Sequence, residues 1–334
     1  MRVCVLSDEA FGDYTPESYL TQHEWKMYLV KRPTLDFIRA IAQQEEYEVY
    51  LNLCDGAPDE DRPGLDVVQA LEALNLPFTG ADSLFYSVTR EQMRLAAQRV
   101  RVGFPPGFAA RPQDPLETMI EGAGLRFPLI VKHPESYASV GMTRDSRVET
   151  MEQARARFDE MCALYGGARV EEFIEGREFT VLIADNPDNL ADPYVYRPLE
   201  ILFPPGESFK HWAMKFDPDA DMDLVTVDDP LLERRLKTMV HDIYLALGGT
   251  GYARADIRMD PQGKLFLLEI NPNPSIFNMP HEKSSADYMI EDDPGGVEGF
   301  LDRIFRSAIL RRERRMLPGQ LLRPRKLAPI EMRR

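Results

Sequence analysis

Apolar and polar residues alternate most regularly between Gly251 and Asn271, where GYARADIRMDPQGKLFLLEIN reads as two strands and a turn. In the first arm Arg254 and Asp256 alternate with Ala253, Ala255 and Ile257, and in the second Glu269 and Asn271 alternate with Phe266, Leu268 and Ile270. Strand side chains point to opposite faces with period two, so each arm separates an apolar face from a polar one. A four-residue turn at Asp260-Pro261-Gln262-Gly263 predicts that Arg254 lies opposite Glu269 and that Asp256 and Asn271 share their face. One Asp, one Glu and one Asn carbonyl are hard oxygen donors of the kind Mg²⁺ takes while keeping positions for water and phosphate. A solvated sheet face with ordinary charges is the alternative for the hairpin taken alone. Pro272 and Pro274 end the second arm where a site would open.

Elsewhere the pattern predicts strands alternating with helices. Residues 1–85 read as a doubly wound α/β unit, with strands at Val3–Leu6 and Glu48–Leu53 and helices around Thr34–Gln44 and Val67–Leu74. Between them, Phe11 to Lys31 is long and aromatic, either a loop bordering a substrate pocket or a packed surface helix. Residues 86–172 read as a smaller α+β domain: a helix around Thr89–Arg101, a Pro-rich link at Gly103–Gly107, a buried strand Leu129–Val131 that delivers Lys132, and a helix Met151–Leu164. Residues 173–312 supply a larger sheet and the clearest helix, Pro230 to Leu247, with Asp229 as its cap, Pro230 at the first position and Gly248 as its stop. Its stripe of Leu232, Leu236, Met239, Val240, Ile243 and Leu247 is expected to back the hairpin. Residues 313–334 form a basic tail.

Composition narrows the class. The 334 residues are 44% apolar and 28% charged, as in globular proteins of two or three domains. No apolar run approaches the ~20 residues of a membrane span. Three widely spaced cysteines, Cys4, Cys54 and Cys162, support neither a disulfide framework nor a cysteine metal site, and a cytoplasmic setting is expected. The net charge of −15 divides into +9 from Arg303 to Arg334 and −24 elsewhere. An acidic body argues against general nucleic-acid binding. The basic end is expected to begin as a cationic helix terminus and continue as a packing segment.

Four further segments fall in order around the hairpin: LPFTGADS (76–83), PLIVKHPESYASVGM (128–142), VEEFIEGREFTV (170–181) and AMKF (213–216). Together they resemble the ATP-grasp superfamily, and in wording its D-alanine–D-alanine ligase branch, over roughly residues 75–280. The resemblance implies a three-domain architecture: an amino-terminal α/β domain and two α+β subdomains that clasp ATP. It implies phosphate contacts from Lys132 and Lys215, and a small-residue loop with Ser139 and Gly141 over the phosphates. Glu171, Glu172 and Phe173 would lie on the adenine side and Glu178 on the ribose, with Phe209 and Leu268 as apolar walls. Asp256, Glu269 and Asn271 would hold two Mg²⁺ ions, for which Mn²⁺ can substitute, and Arg254 would stabilise the oxyanion of acyl transfer. No Walker loop is present, and none of the five histidines shows ligand spacing.

Departures from the branch concern the substrates. LSDEAFGDY (6–14) stands where a glycine pair and a glutamate are expected, Ala138 and Phe216 replace a serine and a tyrosine, Ser275 lies in the acceptor region, and Gln92 stands in for a lysine on the ATP side. The chain is therefore expected to be an ATP-dependent carboxylate–amine ligase that joins a small carboxylate and an amino acid through an acylphosphate. A D-alanine pair ranks last among its substrates on this reading. A small-molecule kinase of the same fold and a nucleotide-binding module without turnover are the alternatives. Small-molecule substrates, no membrane and compatibility with a homodimer complete the expectation.

Overall fold

The computed structural model of the chain describes residues 1–8, 16–56, 61–135, 140–211, 214, 222–278 and 283–316. Three sheets organise them. β1 (Arg2–Ser7), β2 (Glu24–Leu29) and β3 (Val49–Asn52) pair in parallel in the order β2-β1-β3. The central strands are apolar on both faces, as covered parallel strands require. Cys4, Leu6 and Tyr50 pack under the helices Thr34–Gln44 and Leu65–Ala73, while Val3, Val5 and Leu51 meet the helices Ser285–Asp292 and Gly296–Met316.

β2 corrects the expectation of a loop or surface helix. Within 11–31, Pro16–Tyr19 forms a single helical turn and Glu24–Leu29 an edge strand whose Trp25 and Met27 pack on the core while Glu24 and Lys26 face outward. That alternation spans only six residues, too short to stand out among the aromatics around it.

β4 (Gly107–Ala110), β5 (Leu129–Lys132), β6 (Arg147–Val148) and β7 (Ala168–Glu172) form an antiparallel sheet in the order β4-β7-β5-β6, backed by the helices Leu116–Gly122 and Met151–Tyr165. The largest sheet contains β8 (Arg177–Ala184), β9 (Tyr194–Val195), β10 (Leu199–Leu202), β11 (Asp223–Thr226), β12 (Tyr252–Met259) and β13 (Leu265–Pro272). Its order is β11-β10-β8-β12-β13, with β9 also paired to β8.

The apolar face of this sheet, including Phe179, Val181, Ala253, Ala255, Ile257 and Leu267, packs against Leu232, Leu236, Met239, Val240 and Ile243 of the Pro230–Leu247 helix. That helix begins and ends as its sequence predicts. Asp229 accepts from the amides of Leu231 and Leu232 at 2.9 and 3.2 Å, and Gly248 takes a left-handed φ of 68°. The helix Arg90–Arg99 adds Met93 and Ala97 to the same core.

The start of the basic segment lies on the Gly296–Met316 helix. Arg311 donates to the carbonyls of Phe78 and Gly80, and Arg315 to that of Leu76, so these cations tie the helix end to the chain that leaves the first sheet. Residues 317–334 lie outside the described residues. No helix among the described residues is long and apolar enough to cross a membrane.

The two roles of the Pro230–Leu247 helix separate in stability. Leu236 is fully buried, and Leu236→Ala is expected to cost about 2–5 kcal/mol. Asp229→Ala removes only the cap, about 1 kcal/mol. Denaturant unfolding followed by circular dichroism checks the order; equal losses would mean that the apolar stripe does not anchor the sheet.

Candidate active site

The hairpin of β12 and β13 carries its polar residues on one face, in a register that differs from the four-residue-turn expectation. Asp260 accepts from the amides of Gln262 and Lys264, and its own amide donates to the Lys264 carbonyl, so the loop holds five residues and Met259 pairs with Leu265. A bulge at Leu268 then shifts the ladder again. Asp256 comes to lie opposite Glu269 and Arg254 opposite Asn271, in place of the predicted Arg254–Glu269 pair. The bulge also takes Leu268 off the core face expected from alternation: Leu267 and Ile270 are buried in the core while Leu268 and Glu269 both line a cleft.

This cleft lies between the polar face of the largest sheet and the four-stranded sheet, with about 710 Å³ of empty space including open solvent. Lys132, Glu171, Glu172, Phe173, Glu178, Phe209, Asp256, Leu268 and Glu269 all line it, so residues far apart in sequence converge. Arg254, Asn271 and Ser275 are not among the lining residues. Arg254 holds Asp256 with contacts of 3.3 and 3.4 Å, and the Thr180 hydroxyl donates to Asp256 at 2.8 Å. Ser275 donates to the Asn278 side chain at 2.8 Å, within a loop held by the buried Asp287. Ala138, Ser139, Lys215 and Phe216 lie outside the described residues.

Lys132 ends β5 as a buried ammonium. Its Nζ pairs with Glu171 at 2.7 Å, and Arg169 grips the same carboxylate. Burial and the charge of Arg90 pull the Lys132 ammonium down to about 8, against the opposing pull of Glu171 and Glu269. Burial alone would favour the protonated form of Glu171, but Lys132, Arg90 and Arg169 hold its carboxyl well below the usual range. Glu171 is thus committed to this ion cluster at the wall of the cleft. Glu172 sits at the rim, paired with Arg126 at 3.3 Å. Phe173 and Phe209 stack edge-on at 5.8 Å and pack with Ile130 and Met142 as an apolar corner.

Arg90 escaped the sequence reading. It is 5% exposed, donates to the Leu268 carbonyl at 2.8 Å and approaches Glu269 at 3.4 Å, linking its helix to the bulge. Gln92, which stands in for a lysine on the ATP side, closes a capping box with Thr89 at the exposed helix start, and Arg90 of the same helix lines the cleft. A signal was present: a cation in the first turn of a helix sits at the positive end of its dipole and needs another partner.

The donor set fits a hard divalent cation. Among the described residues no group of three His, Cys, Asp or Glu side chains gathers as a metal site. Two carboxylates opposite each other, with Asn271 on the same face, leave most coordination positions to water and a phosphate ligand, as Mg²⁺ prefers.

Comparison with known proteins gives the family and the fold. A family model described as D-ala D-ala ligase C-terminus matches residues 108–284. A D-alanine–D-alanine ligase of Alkalilimnicola ehrlichii is 29% identical over 216 residues, covering 62% of this chain and 63% of that protein. One of Cupriavidus necator is 30% identical over 207 residues, with 62% and 61% covered. The chain spans about three fifths of the length of these curated relatives. Among solved structures, D-alanine–D-alanine ligase from Bacillus anthracis complexed with ATP has a TM-score of 0.69 at 18% identity, covering 94% of this chain and 99% of that one. A D-Ala:D-Ser ligase from Enterococcus faecalis gives 0.68 at 16%, covering 92% and 99%. The ATP-grasp fold is therefore that of this chain. The low rank given to a D-alanine pair from the sequence is not borne out by these relatives.

The ion cluster predicts an asymmetry between its members. Glu171→Gln leaves Lys132, Arg169 and Arg90 without their shared carboxylate, and a loss of about 3–5 kcal/mol is expected. Lys132→Met leaves Glu171 paired with Arg169 and should cost clearly less. Unfolding midpoints of the two variants decide it, and a larger loss for Lys132→Met would overturn the account.

Proposed function

Since the chain belongs to the family of the D-ala D-ala ligase C-terminus, we propose that it is an ATP-dependent carboxylate–amine ligase requiring Mg²⁺. The observation that carries this reading is the convergence of Lys132, Glu178, Asp256 and Glu269 on one cleft from separate motifs. Its three cysteines are buried and free, in keeping with a reducing, cytoplasmic setting. D-Alanine is the donor favoured by the relatives' names, with a small D-amino acid as acceptor.

In the reaction, a carboxylate oxygen of the donor attacks the γ-phosphorus of ATP and ADP leaves. The acceptor amine then attacks the acyl carbon, and inorganic phosphate leaves as the amide forms. Lys132 neutralises phosphate from the buried end of β5. Asp256, Glu269 and Asn271 would hold Mg²⁺, which would supply charge neutralisation at the transferring phosphate. Arg254, fixed by Asp256, stands on the same sheet face and stabilises the oxyanion that forms when the amine attacks. Thr180 and Arg254 together orient Asp256 for its ligand role.

Phosphate released in step with dipeptide, only when donor and acceptor are both supplied, is the expected behaviour; D-alanine alone serves as both. Arg254→Ala should retain ATP binding and lose product formation by ~2 orders of magnitude, the size of an oxyanion donor. Asp256→Asn and Glu269→Gln should abolish turnover with the fold intact. A coupled assay of ADP release with mass spectrometry of products tests all three. A stable phosphorylated product would identify a kinase, and no ATP consumption across D- and L-amino acids would leave a binding module.

The depressed Lys132 ammonium makes a further statement about pH. Bound phosphate favours the charged form, so the bound pKa lies above the free value of about 8. ATP affinity is therefore highest below that value and falls as pH rises through it, by up to about tenfold per pH unit. Lys132→Arg, which stays charged, should remove the slope. Calorimetric titration between pH 7 and 9.5 measures both proteins, and parallel slopes would remove Lys132 from the phosphate site.

A further inference from the structure

Glu178 is buried, and among the described residues only one of its oxygens is engaged. Arg258 Nε donates to Oε2 at 2.9 Å, with Nη2 at 2.9 Å from the same oxygen. The other oxygen, Oε1, accepts nothing among the described residues, and Glu178 lines the cleft.

Arg258 itself is 2% exposed and does more than neutralise. Its Nη1 donates to the Ile174 carbonyl at 2.7 Å, its Nη2 donates to the Ser208 carbonyl, and the guanidinium lies 4.5 Å from the ring centroid of Phe173. One side chain thus joins the linker between β7 and β8, the ring of the apolar corner, the Glu178 carboxylate and the segment that leads into Phe209. Backbone geometry presses the linker onto the same place: Gly176 has a φ of 125°, and a Cβ there would stand 2.1 Å from the Met259 carbonyl oxygen, next to Arg258. A planar fork reaches a carboxylate and two carbonyls from three separate nitrogens, whereas a lysine has its donors on one.

We propose that Arg258 is a positioning residue for nucleotide recognition: by binding Glu178 through Oε2 alone, it holds the carboxylate so that Oε1 turns toward the ribose hydroxyls. Preference for ATP over 2′-deoxyATP then depends on Arg258, although it touches neither hydroxyl. This rests on the nucleotide reading of the cleft given above. The chemistry is direct, because an ionised oxygen accepts from two O–H groups, whereas a buried carboxyl without its cation would take up a proton and lose part of that capacity.

The test is titration of the full chain, with Mg²⁺, by ATP and by 2′-deoxyATP. Wild type should prefer ATP by about tenfold to a hundredfold, the size of a hydrogen bond to a charged acceptor. Glu178→Gln and Arg258→Lys should each bring the ratio to within about threefold while the affinity for 2′-deoxyATP changes little, since the phosphate contacts remain. Arg258→Met strands a buried carboxylate, so Arg258→Met combined with Glu178→Gln supplies the second variant, which should match Glu178→Gln alone. A full ratio in Arg258→Lys alongside its loss in Glu178→Gln would overturn the proposal, as would equal weakening of both nucleotides, the mark of a purely structural role. If Glu178→Gln keeps the ratio, Glu178 is not the ribose acceptor and the proposal falls with that assignment. A wild type that binds neither nucleotide refutes the nucleotide reading itself.

Discussion

The carboxylate of Glu171 cannot exist where it is without its cations, and the cleft is arranged around that fact. It is 2% exposed, and an isolated charge at that depth would cost several kcal/mol. Lys132 and Arg169 satisfy it from β5 and β7, the two strands whose pairing forms the middle of the four-stranded sheet. The same pairing leaves Lys132 unable to withdraw to solvent, so its head is held at the cleft. Arg90 adds a third positive charge nearby and carries the linkage across to the Leu268 carbonyl and Glu269 on β13. A buried electrostatic cluster in one sheet is thereby tied to the polar face of the other.

The largest sheet can present that polar face because its opposite face is fully occupied. Phe179, Val181, Ala255 and Ile257 are buried against the Pro230–Leu247 helix, and period-two alternation leaves Glu178, Thr180, Arg254, Asp256 and Arg258 pointing the other way. Cross-strand register completes the site: Thr180 lies beside Asp256 and Glu178 beside Arg258 on neighbouring strands. Apolar packing on one side sets orientation on the other, which is how a sheet holds several charged groups within reach of one ligand. The bulge at Leu268 is the one break in this rule, and it adds an apolar wall beside Glu269.

Much of this was legible in the residues and some of it was not, for physical reasons that can be named. The alternation around Arg254 and Asp256, the caps at Asp229 and Gly248, and the stripe through Leu236 carry their structure locally, and each is found where its pattern predicts. The register of the hairpin was misread because a five-residue loop and a bulge each move it by one, and neither leaves a mark in the alternation FLLEI. Arg90 and Arg258 were overlooked because an arginine on a helix or strand is ordinarily solvated; only the long-range carbonyls they meet, those of Leu268, Ile174 and Ser208, show that they are buried. The substrate-side departures at Ala138 and Phe216 fall outside the described residues, and the names of the relatives weigh against the exclusion drawn from them.

Charge balance in the cleft places a condition on the nucleotide reading. Arg90, Lys132, Lys210 and Arg258 line it, against Glu171, Glu172, Glu178, Asp256 and Glu269. Three of the four cations pair with carboxylates within the wall, Lys132 with Glu171, Arg258 with Glu178 and Arg90 with Glu269. With five carboxylates against four cations, the lining does not offset the charge of a triphosphate approaching an acidic protein of net charge −15. Divalent cations entering with the nucleotide would supply the missing positive charge, and Asp256 and Glu269, opposite each other on the open face, are the carboxylates placed to receive them. On this account the acidic pair would be what lets the cleft accept a polyanion, and a metal would be as much a condition of binding as of chemistry.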